Sequence, residues 1–260
     1  MNISIISSWH IFAVIIMAAS IGGVAGYIGS LMVTKRMALM AGALGHLTLP
    51  GVSLALIYGF DVSIGALLFL AVGIITIWIL GKRTHLPLEA LTAVVFSTSL
   101  AVAFLFLPQK EAFAVLIGDI SHIPYSAIVV SIVISLVIFL IVYSIMPKLI
   151  LSSISIDLAT VEGYNVSMVT LTYLICIAIV VAMGVRIVGG LMTAALVSIP
   201  ACASSNFSKN LSTYTFLSLA IGIISSICGI IMSILTGIAA GPLIIIISGI
   251  IFVISLFFKK

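Results

Sequence analysis

Side chains able to do chemistry are few in this chain. Its 260 residues include six Asp and Glu, ten Lys and Arg, four His and three Cys. Most of them stand at the ends of long apolar runs; His46 does not. It lies in MALMAGALGHLTLPGVSLAL, near the middle of such a run, with Pro50 four residues further on. An ionisable group at that depth is costly and faces a cavity or a partner. Imidazole is also a common ligand for divalent transition metals, so His46 is the candidate metal-binding residue, against the alternative of a hydrogen-bonded packing histidine. The Pro50-Gly51 pair breaks the helix here, which is tolerated where the freed carbonyls line a cavity or find partners.

Two further groups carry polar chemistry. Asp119 and His122, in GDISHIP, read as an interfacial turn or helix start capped by the Asp, with Asp61 on the same side and an external metal-handling mouth as the lesser alternative. The stretch SSISIDLATVEGYNVS is the longest loop with polar content. Within it Asp157 to Glu162 can form a short helix that Gly163 ends at C′. A short helix held out in a chain with almost no other loops calls for a partner to dock on. There is no G-x-x-x-x-G-K-[ST] and no H-E-x-x-H, nor a paired-Asp or Ser-Lys arrangement of intramembrane-protease type. An enzyme is disfavoured, and no cofactor is expected.

The elements that must position these residues follow from composition. The chain is 63% hydrophobic and only 6% charged, with a mean hydropathy of +1.50, whereas a soluble domain carries roughly 25% charged residues. This predicts an all-α, polytopic membrane bundle in the cell membrane. No stretch is polar enough for a separate soluble domain, so residues 1–260 are expected to form a single transmembrane domain. The N-terminal MNISIISSWHIFAVII lacks a basic segment and a small-residue cleavage site, and leads into the first span. Cys176, Cys202 and Cys228 lie in apolar runs without paired spacing and read as buried, reduced thiols.

Basic residues punctuate nine apolar runs, about Ile11–Val33, Met37–Gly59, a third ending at Lys82-Arg83, Pro87–Leu107, a fifth ending at Met146-Pro147-Lys148, a sixth near Arg186, Val188–Ala203, an eighth near Thr236-Gly237, and a last ending at Lys259-Lys260. Each is near the length a bilayer demands, and a broken helix over Met183–Pro200 would reduce the count to eight. Alternating sides places Lys35, Arg36, Lys82, Arg83, Lys148, Lys209, Lys259 and Lys260 together, against Lys110 and Arg186. The excess of positive charge puts the C-terminus and the Leu151–Ser167 loop in the cytoplasm and the N-terminus outside. The net charge of +4 is explained by that bias, and nucleic acid is not an expected partner. Gly22, Gly26 and Ser30 share a face of the first span, a small-residue pattern for close helix packing.

Over nearly its whole length the chain resembles the permease subunits of bacterial and archaeal ABC importers for zinc, manganese and ferrous iron. Four segments carry the likeness. Arg36-Met37 with Leu44 to Val52 is similar to the family's arginine–methionine followed by G-D-x-[LI]-[SA]-H-x-x-L-P-G-V. Asp157-Leu158-Ala159 with Gly163 resembles D-x-x-A-x-x-x-G. Val188-Gly189-Gly190-Leu191 through Ile199-Pro200-Ala201 resembles V-G-x-L-L-…-P-A-x-x-A, and Ala240-Gly241-Pro242 matches the turn before the last span.

The resemblance implies a homodimeric permease with a central pathway. It would be served by a cytoplasmic ABC ATPase subunit and an extracytoplasmic solute-binding protein. Asp157, Ala159, Glu162 and Gly163 would belong to a coupling helix seated on the ATPase, and His46 to the metal path. One departure matters. The family's G-D is Ala41-Gly42 here, so the carboxylate one turn before His46 is missing. The same architecture moving another solute, and a secondary carrier, are the alternative readings.

Overall fold

Lipid offers no hydrogen-bond partners, so apolar runs of this length must satisfy their backbone groups internally, and helices form. The computed structural model describes residues 8–35, 37–84, 86–106, 123–189 and 192–258. Eleven helices follow one another among them: α1 (Ser8–Thr34), α2 (Ala38–Leu47), α3 (Leu49–Tyr58), α4 (Val62–Arg83), α5 (Leu88–Phe106), α6 (Tyr125–Ile154), α7 (Ile156–Val161), α8 (Val166–Val188), α9 (Thr193–Phe207), α10 (Leu211–Thr236) and α11 (Ala240–Leu256). There is no strand among the described residues.

Five helices are long and apolar enough to cross a membrane, within α1, α4, α6, α8 and α10, and shorter apolar helices run over Ala43–Ala55, Leu88–Ala103 and Ala240–Leu256. Each of the nine apolar runs therefore contains helix, with the expected break in the second run and two corrections to the expected boundaries. The Met37–Gly59 run is two helices, because Pro50 has no N–H to continue the ladder and instead occupies the first turn of α3. The helix of the fifth run, α6, continues through Pro147 to Ile154, since the loss of one bond inside a 30-residue helix does not end it. The seventh run yields α9, which begins at Thr193 and has 15 residues. It rises about 22 Å, short of the ~30 Å hydrocarbon thickness, and packs among α1, α10 and α11.

The interior and exterior are sorted as lipid requires. The outer face of α6 carries exposed Val129, Val133, Leu136 and Leu140, which face acyl chains at no cost. Inside, small and hydroxyl residues admit close backbone approach: Ser218, Ser225, Ser226 and Ser233 of α10 are all buried. The long helix α1 runs through the middle, against α6, α8, α9 and α10, and buries Met17, Ile21, Tyr27, Ile28 and Leu31. Hydrogen bonds tie it laterally. Tyr173 Oη donates to the Ile28 carbonyl at 2.8 Å and Ser218 Oγ to the Gly26 carbonyl at 2.6 Å. Cys176 is buried, whereas Cys202 and Cys228 are only partly so; all three are free thiols.

The α1–α10 contact is the tightest test of this packing. A Cβ added to Gly22 would meet Ser226 Oγ and the carbonyl of Gly222, and one added to Gly222 would fall on the carbonyl of Gly22. Backbone cannot rotate away as a side chain can. Gly222→Ala is therefore expected to destabilise the purified protein by about 1–3 kcal/mol, the usual cost of overpacking. Thermal unfolding in detergent measures this. An unchanged midpoint contradicts the close crossing.

Candidate functional site

His46 stands in the last turn of α2, two residues before the break at Thr48. The break is built from local chemistry. The Thr48 hydroxyl donates to the Gly45 carbonyl at 2.6 Å, while its N–H reaches the same oxygen at 3.4 Å. A three-residue turn thus replaces the four-residue ladder just where Pro50 removes a donor. The chain direction holds, because Thr48 keeps right-handed helical angles. The imidazole is left at a joint between two short helices.

The ring is only partly buried. The Nδ1 atom is buried and has no hydrogen-bond partner. A buried polar atom without a partner is uncommon and needs a reason. The ring lies 5.2 Å from that of Phe96 on α5, tilted by 36°. His46 also lines a cavity of about 520 Å³ together with Met40, Glu89, Thr92 and Phe96. The α2 side supplies the imidazole and α5 the opposite wall.

A second cavity, also about 520 Å³, is lined by Lys35, Met37, Pro87, Glu89 and Ser153. Glu89 borders both. The second cavity lies where α1 and α6 end and α5 begins, at the end of the bundle that carries α7. Lys35 is half-buried there, its Nζ donating to Ser152 Oγ at 3.3 Å, and burial pulls its ammonium down from the ordinary lysine range. Among the described residues no three His, Cys, Asp or Glu side chains come together in a metal-holding group.

The expected short helix in the polar loop is present as α7, one residue earlier than read from the sequence. Ser155 caps its start, accepting from the Leu158 N–H at 3.2 Å. Its end is a full Schellman motif: Tyr164 N–H donates to the Ala159 carbonyl and Gly163 N–H to that of Thr160, both at 3.0 Å. Gly163 sits at φ +78°, the left-handed region that glycine enters freely. Asp157 and Glu162 are exposed, as are Ile156, Leu158 and Val161. Ala159, expected to face a partner, is instead fully buried. A methyl is the side chain that lets a six-residue helix lie flat on the bundle, so Ala159 seats the helix and its neighbours form the outward surface.

Asp119 and His122 lie outside the described residues. Asp61 has a structural task, capping α4 by accepting from the Ser63 N–H at 2.8 Å. Glu89 and Phe96 were not singled out in the sequence. An acid in the first turn of a helix after a proline reads as a dipole partner, and a phenylalanine in an apolar run carries no signal at all.

Apolar helices around a histidine-lined cavity, with a short helix held out at one end, define a multi-pass membrane transport protein. The chain belongs to the ABC 3 transport family, whose model matches residues 8–259; it is an integral protein of the cell membrane. It is similar to the manganese import system permease protein ScaB of Streptococcus gordonii, with 28% identity over 94% of this chain and 89% of the relative. It is equally similar, at 28%, to the high-affinity zinc uptake system membrane protein ZnuB of Buchnera aphidicola, over 89% of this chain and 91% of that one. PsaBC from Streptococcus pneumoniae, solved in complex with Fab, matches with a TM-score of 0.81 and 25% identity over 95% of this chain and 90% of its own.

Proposed function

We propose that the chain is the permease subunit of an ABC importer for a divalent transition metal, manganese or zinc, with His46 as a transient ligand in the path. One observation carries the reading: a half-buried imidazole, whose buried Nδ1 has no hydrogen-bond partner, lines a cavity at the break between two short helices. The relatives named for manganese and zinc import support the cargo. Two copies form the working unit. The cavity wall of α5 exposes Ala90 and Ala93, small side chains on which a second copy can close the pathway. A separate cytoplasmic ATPase subunit docks on α7 through Asp157, Glu162 and the apolar Ile156, Leu158 and Val161, with Gly163 setting the helix end. A solute-binding protein delivers the ion from the other face. ATP binding and release would rock the two copies between outward- and inward-open states.

The described acids all stand at helix ends: Asp61 and Glu89 at the starts of α4 and α5, and Asp157 and Glu162 on α7. That argues against a secondary carrier, which needs substrate-coupled charge within the membrane. Uptake into proteoliposomes holding the permease, its ATPase and its binding protein tests the function. ATP-dependent accumulation of Mn²⁺ or Zn²⁺, with Fe²⁺ as competitor, is expected. Accumulation without ATP, driven by a proton gradient, would revive the carrier.

The orientation has its own test. In a variant whose native cysteines have been replaced, Tyr58→Cys, at the exposed end of α3, is expected to react with an impermeant maleimide from outside. Lys209→Cys is expected to stay unlabelled in sealed cells. The reverse pattern would place α7 outside and remove it from the ATPase.

A further inference from the structure

We infer that Glu89 is a metal-binding carboxylate of the pathway, the acid that an ion leaving His46 meets on its way to the cytoplasm. This rests on the importer reading above. Glu89 is the one acidic residue that lines the His46 cavity, and it also lines the cavity that opens beside Lys35 and Ser153. It therefore stands at the neck between them. No cation is paired with it among the described residues; it stands in the first turn of α5, and Lys35 lines the second cavity with it.

The chemistry fits the place. A divalent cation is held by negative charge, and neutral imidazole supplies none; Glu89 supplies it at the start of α5, the cytoplasmic end of the passage. Position 42, one turn before His46 on α2, holds glycine, so α2 brings no carboxylate there. Glu89 brings one from the facing helix. Carboxylate oxygen suits Mn²⁺, while imidazole suits Zn²⁺ as well, so the acid weights the pair toward the harder ion. Having one nitrogen and one carboxylate on separate helices also favours release, because movement of α5 against α2 separates the two ligands.

Reconstituted complex, with Mn²⁺ and Zn²⁺ supplied as chloride salts, provides the test. Glu89→Gln keeps the size and removes the charge; it is expected to raise the KM for Mn²⁺ uptake about tenfold or more, and that for Zn²⁺ less, with assembly of the complex retained. Glu89→Asp is expected to keep most of the Mn²⁺ uptake, and Glu89→His to turn the preference toward Zn²⁺. In the Glu89→Gln background, Gly42→Asp is expected to recover Mn²⁺ uptake by returning a carboxylate to the same passage. A helix-dipole role for Glu89 predicts no such rescue. The inference is overturned if Glu89→Gln carries both metals with wild-type constants, or if it loses assembly along with uptake and Gly42→Asp restores neither. Wild-type complex that carries neither metal refutes the importer reading instead, whatever the variants do.

Discussion

His46→Ala is expected to abolish divalent-metal uptake by the reconstituted complex, while expression, assembly and binding of the ATPase persist. Removing a histidine that packs and hydrogen-bonds would leave a buried partner unsatisfied, at a cost of about 1–3 kcal/mol. Nδ1 of His46 has no such partner, and the ring's aromatic contact is with Phe96. The loss of stability is therefore expected to be small, while the loss of uptake is complete. A lowered melting temperature with uptake retained would make His46 a packing residue.

Gly163→Val is expected to weaken docking of the ATPase and the stimulation of its activity. Gly163 has φ +78°, and a Cβ there meets nothing within 4 Å, so the penalty is conformational and not steric crowding. A β-branched residue in the left-handed region costs of order 1–3 kcal/mol, enough to unwind a helix of six residues and break the Tyr164–Ala159 and Gly163–Thr160 bonds. Stimulated ATPase activity and recovery of the ATPase with the permease are the readouts, and both should fall. Gly163→Asn is the control, because Asn tolerates the left-handed region, and it should retain both. Equal behaviour of the two variants would remove α7 from coupling.

Much of this was legible from residue types. Runs of apolar residues closed by Lys and Arg mark the helices, because hydrophobic length and interfacial charge are one-dimensional properties. Gly163 announced the end of α7 for the same reason: a C′ glycine is a local requirement. The break in the second run was legible from Pro50, although the joint falls at Thr48, where side chain and backbone share the Gly45 carbonyl. What could not be read was lateral. Ala159 looked like part of a docking surface, yet it is buried, because which face of a six-residue helix meets the bundle depends on the helices beneath it. Glu89 carries no signal of its own in the sequence, because its place beside His46 depends on α5 packing opposite α2. His46 is recognisable by depth, whereas its cavity is a product of packing between helices some 40 residues apart in sequence.

The metal path through His46 is tested most directly by the nitrogen signature of a bound ion. Gly42→Asp adds a carboxylate one turn before His46 and is expected to hold Mn²⁺ long enough to observe. In the complete complex carrying Gly42→Asp, electron spin echo spectra of bound Mn²⁺ are expected to show modulation from an imidazole nitrogen, and the Gly42→Asp/His46→Ala double variant to lose it. Bound Mn²⁺ with oxygen ligands alone, identical in both variants, would contradict the assignment of His46 to the path.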